Sequence, residues 1–357
     1  MSTNPFVSTL QNLLLMTVST VVTLLLIEGA FRLYSSATEA SGLEALNRIA
    51  EKPAPGTKVT LGSMIQLSAN PGIVYELIPD LSVVHLGQHV TTNAAGFRGP
   101  AVTEAKPAGT RRIVGLGDSV MFGWGVAADE AYPSVLAQTL NAVPGEPHWE
   151  FINTAVPGYN TAIEVEVLKE KGLRYQPDIV IVGFVANDFA MPRFIRQPVN
   201  YLSLDRSFLL QALGIGAAGE SLTDAVQEFR DRNIPLGEVD MSRVPPHYHY
   251  MVGTPGVINS FNELRRLRDK HGFEVIVLVY QFLTQEVRDA ITANDFQIVN
   301  AAKLWAPYAE AQGYTDVREA IRLSESDPHP SAEAHAVIAK GLSDRVRLLM
   351  ARKGAAP

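Results

Sequence analysis

Apolar and polar positions fall into three regimes along the chain. From Asn12 to Ile27 no charged side chain interrupts a run of leucine, valine and threonine, and Glu28-Gly-Ala-Phe-Arg32 follows. Counted to Phe31, the run approaches the roughly 20 residues that a helix needs to span hydrocarbon. It predicts a membrane anchor over residues 1–36. A signal segment, with Ser35-Ser36-Ala37 as a poor cleavage site, and a buried core helix are the alternatives. From 37 to 108 short strand-like runs (58–61, 83–86, 89–92) alternate with turn residues. Asn93-Ala-Ala-Gly96-Phe-Arg-Gly99-Pro100 reads as a turn with a glycine at positive φ. This region is expected to be a strand-rich extension packed as scaffold on a larger domain.

Beyond residue 109 the period alternates between strand and helix. Arg112–Leu116, Trp149–Asn153, Asp178–Val185 and Phe273–Val279 are apolar runs of strand length. Tyr132–Leu140, Ala162–Gly172 and Phe261–His271 have helical spacing. Asp178–Val185 is apolar almost throughout, as expected of a strand buried on both faces of a parallel sheet. Strands alternating with helices predict an α/β fold with a doubly wound, flavodoxin-like parallel sheet over 109–352. The long irregular stretch 189–256 interrupts it as an insertion that can serve as a lid, or as a substrate- or partner-binding element.

Composition narrows the function classes. The 357 residues are 46% hydrophobic and 19% charged, an ordinary folded protein able to bury a large core. A net charge of −7 argues against a nucleic-acid partner. There is no cysteine, which excludes disulfides, thiolate nucleophiles and Cys-ligated zinc. His247-Tyr-His249-Tyr250 is too weak a pattern to imply a metal, and no cofactor is expected.

Doubly wound sheets bind ligands at the carboxyl ends of their strands, and polar stations stand at those ends. Arg112–Leu116 runs into Gly117-Asp118-Ser119. Trp149–Asn153 runs into Thr154-Ala-Val-Pro157-Gly158-Tyr-Asn160, and the third strand into Ala186-Asn187-Asp188. Asp327-Pro328-His329-Pro330 precedes the last helix. Taken singly, Ser119 can be an N-cap, Gly158 a type II turn glycine, and Asn187-Asp188 a helix cap. His335 reads as a helix-face histidine. A G-x-S-x-G elbow is excluded, because Met121 occupies the place of its last glycine.

In these four blocks and their order the chain resembles the GDSL or SGNH hydrolases, serine esterases and acyl transferases. The resemblance covers roughly residues 110–350. It implies Ser119 as nucleophile and His329 as general base, with an oxyanion hole at Ser119, Gly158 (backbone N–H) and Asn187 (side-chain amide). Two positions depart from the family pattern. Val185 replaces a glycine two residues before Asn187, and Ser326 replaces the aspartate three residues before His329. The nearest carboxylate is Asp327. Residues i and i+2 of an extended segment point the same way, and Pro328 keeps Asp327 extended, so Asp327 is expected to orient His329. The resemblance further implies an ester or acylated glycan or lipid substrate, a single-pass anchor and a periplasmic or otherwise extracytoplasmic body. A protein partner through 189–256 is a further expectation. A non-catalytic scaffold subunit is the competing reading.

Overall fold

The computed structural model describes residues 5–37, 52–196, 202, 207, 209–210, 213, 226–228 and 239–355. It forms two compact units, one of residues 1–51 and 196–227, the other of 52–195 and 228–357.

In the first unit, α1 (Pro5–Ala37) runs for 33 residues. Its stretch from Thr9 to Tyr34 is long and apolar enough to cross a membrane, a test that a signal sequence also passes. Leucines and valines stand exposed along it. Glu28 pairs with Arg32 one turn on, at 2.8 Å. The Glu28 carboxylate also accepts from Ser207 Oγ (2.7 Å) and from the Leu209 N–H (2.9 Å).

The second unit is built on five parallel strands: β5 (Thr110–Leu116), β6 (His148–Asn153), β7 (Ile179–Phe184), β8 (Glu274–Val279) and β9 (Gln297–Asn300), in spatial order β9-β8-β7-β5-β6. The order reverses between β5 and β7, where such sheets open a crevice. All six residues of β7 are buried, as its apolar run requires of a central strand. α2 (Ser119–Phe122), α3 (Tyr132–Asn141) and α4 (Thr161–Glu170) follow β5 and β6, and α5 (Gly253–His271) precedes β8. Val114, Val182, Phe184, Phe261 and Val277 belong to one core cluster. α5 starts well before the expected Phe261, inside the expected insertion.

The edge strand β9 has no apolar run and escapes the sequence pattern, since only Val299 of its four residues is buried. α6 (Gln285–Ala293), α7 (Ala301–Ala311) and α8 (Val317–Ile321) close this side. The chain then makes a short antiparallel pair, β10 (Arg322–Ser324) and β11 (Asp327–Pro330), before the terminal α9 (Ala332–Ala355).

The extension contains two antiparallel pairs, β1 (Ile65–Leu67) with β2 (Tyr75–Leu77), and β3 (Ser82–His85) with β4 (Gln88–Thr91). The run 58–61 is not a strand. Lys58 makes one isolated bridge to Val84, and Leu61 opens a 3-10 turn. Gly96 takes φ 78° in the expected turn.

That turn delivers Arg98 into the interior, where only 5% of it is exposed. Its guanidinium donates to the carbonyls of Phe122 (2.5 Å), Gly123 (2.6 Å) and Val126 (2.8 Å), so it caps the segment that leaves α2. Burial lowers its pKa to about 10, and the group stays charged at neutral pH. Arg98→Met keeps the stem but strands three carbonyls. It is expected to cost about 3 kcal/mol and to lower Tm by roughly 5–10 °C. Thermal unfolding checks this, and an unchanged Tm would mean that the clamp contributes nothing.

Candidate active site

Ser119 stands where β5 ends and α2 begins. Asp118 caps α2, its Oδ1 accepting from the Val120 N–H at 3.0 Å. The cap therefore comes from Asp118, and the Ser119 hydroxyl is left for other partners. Gly123 ends this one-turn helix at φ 86°, a left-handed conformation that favours glycine. A Cβ there would lie 2.8 Å from the Arg98 guanidinium and 2.7 Å from the Ala131 methyl.

Ser119 Oγ lies 2.9 Å from His329 Nε2, across 210 residues of sequence. His329 Nδ1 lies 2.6 Å from Asp327 Oδ1. Asp327 and His329 are alternate residues of the extended β11, so both side chains face one side of it. Asp327 Oδ1 also accepts from the backbone N–H of His329 at 3.0 Å. Ser326 is exposed, and its hydroxyl is 3.4 Å from that of Ser324. Partial burial raises the Asp327 pKa. The His329 backbone N–H, the His329 ring and Trp124 outweigh this and hold it below its ordinary value. A carboxylate facing Nδ1 fixes the proton on that nitrogen and leaves Nε2 as the acceptor for the serine proton.

Trp124 is a site residue that sequence reasoning passed over. Its indole N–H donates to Asp327 Oδ2 at 3.2 Å, and its ring stacks on His329 at 5.4 Å between centroids. His85, at the end of β3, packs edge-on to Trp124 at 4.8 Å. Desolvation lowers the His85 pKa, and its Nδ1 faces the Val59 carbonyl at 2.9 Å. The one available signal was the position of Trp124 between two glycines just beyond Ser119. A lone aromatic there carries no period.

Asn187 rides on the 3-10 turn after β7, and its amide donates to Asp118 Oδ2 at 3.1 Å. The same oxygen accepts from Ser119 Oγ at 3.2 Å. Asp118 therefore ties the third station to the first. Val185 has φ −125°, ordinary extended backbone, so a valine fits where the family has glycine. Asp188 secures the turn, taking the Val185 N–H at 2.7 Å and the Thr161 hydroxyl at 2.7 Å. Burial pushes its pKa to about 8. The Val185 bond opposes that rise and the neighbouring Asp118 adds to it. Glu164, fully enclosed with neither carboxyl oxygen hydrogen-bonded, likewise has its pKa raised, first by burial and then by Asp188 and Asp118.

Gly158 lies on the loop after β6 at φ 86°. A Cβ at this position would strike the Arg193 side chain and come within 3.1 Å of the Tyr75 hydroxyl. The Arg193 N–H donates to the Gly158 carbonyl at 2.9 Å, and its guanidinium lies 6.0 Å from the centroid of the Trp124 ring. Tyr75 donates from its hydroxyl to the Pro157 carbonyl at 3.0 Å, and its own carbonyl accepts from the Tyr159 hydroxyl. The extension thus reaches the segment after Ser119 through Arg98 and His85, and the Pro157–Gly158 station through Tyr75.

His335 is buried beneath α3, its Nδ1 accepting from the Tyr132 N–H at 3.3 Å. Burial lowers its pKa to about 3, so the ring is neutral. Ser119, His329, Asp327 and Asn187, singled out in the sequence, stand in one connected hydrogen-bonded set. Among the described residues no group of three or more His, Asp or Glu side chains could hold a metal ion.

These groups gather beyond the carboxyl rim of a five-stranded parallel sheet flanked by helices. A sequence model of the GDSL-like lipase/acylhydrolase family matches residues 116–337, well over half of the chain, and the protein belongs to that family. No curated protein matches it. Similar solved structures include a catalytic mutant of an acetylxylan esterase from Geobacillus stearothermophilus, at 13% identity and a TM-score of 0.40, covering 65% of this chain and 92% of that one. A psychrotrophic esterase from Pseudoalteromonas sp. has 12% identity and a TM-score of 0.41, with 67% and 98% covered. A lipase/acylhydrolase from Enterococcus faecalis has 16% and 0.37, with 66% and 96% covered.

Proposed function

We propose that the protein cleaves or transfers an acyl group, an acetyl group in the reading we favour, from an ester of an envelope polysaccharide or lipid, with Ser119 as nucleophile. The observation that carries this reading is the chain Ser119 Oγ–His329 Nε2 (2.9 Å) and His329 Nδ1–Asp327 Oδ1 (2.6 Å). As Ser119 Oγ attacks the ester carbonyl, its proton passes to Nε2, and Asp327 stabilises the imidazolium that forms. Negative charge gathers on the carbonyl oxygen, where the N–H groups of Ser119 and Gly158 and the Asn187 amide serve as donors. Collapse expels the alkoxide, which takes the proton from Nε2 and leaves an acyl-serine. Water then returns the enzyme by the same route, with His329 as base. If a sugar hydroxyl replaces water, the reaction is an O-acyl transfer.

The apolar run of α1 supports an uncleaved single-pass anchor. Arg32 beyond the run by itself favours a cytoplasmic body, and the resemblance to anchored cell-envelope enzymes is the ground on which we place the body outside the cytoplasm. We read 189–256 as the element that meets substrate or partner.

A fluorophosphonate probe traps an activated serine covalently. The full chain should be labelled at Ser119, located by peptide mass spectrometry. Labelling at another serine, or none, would overturn the assignment.

A further inference from the structure

We propose that Tyr75, in the region expected to be scaffold, is a positioning residue for the reaction. Its hydroxyl fixes the peptide group whose N–H is the Gly158 oxyanion donor. The inference rests on the acyl-transfer reading above and concerns one donor within it.

Val156-Pro157-Gly158-Tyr159 is a closed turn, the Tyr159 N–H donating to the Val156 carbonyl at 3.1 Å. Proline holds φ at about −65° at the second position, and Gly158 at the third has φ 86°. A negative φ followed by a positive one is the type II form. The type I form closes the same bond with its middle peptide turned over by roughly half a turn. Glycine accepts either sign of φ, so the backbone of this turn is open to both forms. One presents the Gly158 N–H to the ester oxygen, and the other turns it away.

The middle peptide carries the Pro157 carbonyl and the Gly158 N–H. In a planar trans peptide these point in opposite directions, so whatever holds the carbonyl also aims the N–H. Tyr75 Oη donates to that carbonyl at 3.0 Å, across 82 residues of sequence. Tyr75 and Pro157 are both buried, which keeps water from competing for the bond. The bond also polarises the peptide and strengthens its N–H as a donor. The next peptide is held separately, by the Arg193 N–H on the Gly158 carbonyl at 2.9 Å. The Tyr75 ring is itself fixed edge-on against Tyr159 (5.1 Å) and Phe194 (5.0 Å).

Tyr75→Phe keeps both ring contacts and removes the donor. The full chain would be assayed on a short-chain acyl ester, and with an alkyl trifluoromethyl ketone, whose adduct with a serine hydroxyl is tetrahedral and carries the oxyanion. The variant is expected to lower kcat about 10- to 50-fold, short of the roughly 10²–10³ that loss of a whole donor costs. KM should stay within about 2-fold, since ground-state binding is untouched. The ketone Ki should rise by the factor by which kcat/KM falls. A group that served only stability would lower Tm and leave the ratio of Ki to KM alone. Tyr75→4-aminophenylalanine, installed by stop-codon suppression, puts an N–H donor in the place of the hydroxyl and should recover most of the activity. It also provides a reading if Tyr75→Phe does not fold. Wild-type kcat and Ki in folded Tyr75→Phe would overturn the proposal while Ser119 labelling by the fluorophosphonate stands. So would a folded 4-aminophenylalanine variant that shows the full expected loss. Absence of labelling at Ser119 in the parent chain would overturn the acyl-transfer reading and the proposal together.

Discussion

Ser119→Ala is expected to abolish hydrolysis of a short-chain acyl ester, leaving below a few per cent of wild-type kcat, while Tm stays unchanged. The loss follows from the hydroxyl's two partners, His329 Nε2 at 2.9 Å and Asp118 Oδ2 at 3.2 Å. Without Oγ there is neither an atom to attack the ester nor a proton for the histidine. The residual rate would come only from the oxyanion hole and substrate binding, about 10³–10⁴-fold over water in enzymes of this kind. Stability should hold because Ser119 Oγ does not cap α2; Asp118 Oδ1 does. The turn's backbone bonds, including Trp124 N–H to the Ser119 carbonyl at 3.0 Å, are indifferent to the side chain. Retention of more than a few per cent of activity would place the nucleophile elsewhere.

Asp327→Asn is expected to lower kcat by about 10³–10⁴, in line with the equivalent change in a well-studied serine protease. Both Asp327 oxygens accept: Oδ1 from His329 Nδ1 and Oδ2 from the Trp124 indole. An asparagine brings one oxygen and one NH₂, so one of these two donors must meet another donor. If the ring turns to the other tautomer, its proton sits on Nε2 and cannot be replaced by that of Ser119. Trp124→Phe keeps an aromatic ring beside His329 and removes a single bond to a carboxylate, so a loss of about 10-fold is expected. Ser326→Ala and Glu325→Gln, both on exposed residues, should stay within a few-fold of wild type. Steady-state kinetics on the four variants separate these outcomes. A crippling Glu325→Gln would exclude Asp327 as the orienting acid. Because the Asp327 pKa is depressed in the fold, its stabilising contribution is present above the ordinary carboxylate value of about 3.9 and is lost as pH falls through the lower folded value.

Much of this was written locally in the chain. Ile179–Phe184 is a central strand because six consecutive residues must all avoid water, and the order of apolar runs defined a parallel sheet. The position of Asp118-Ser119, Asn187 and His329 at strand ends or before the last helix then followed from connectivity, since a parallel sheet brings its carboxyl ends to one rim. Asp327 could be linked to His329 from sequence because two residues of extended chain fix relative direction. Likewise, an uncharged run of spanning length is a property of composition alone.

Other features had no local signature. Trp124 meets Asp327 across 203 residues, Asp118 meets Asn187 across 69, and Glu28 meets Ser207 across 179. Arg98, Tyr75 and His85 sit in a region whose pattern announced only short strands, yet their side chains hold the Ser119 turn, the Pro157–Gly158 loop and Trp124. β9 went unseen because an edge strand only half-buried at most of its positions carries no apolar run. Periodicity records which residues avoid water, and spacing records which lie near in the chain. Neither records which polar group reaches which partner, because that follows from the directions of side chains on separate elements after the core has packed.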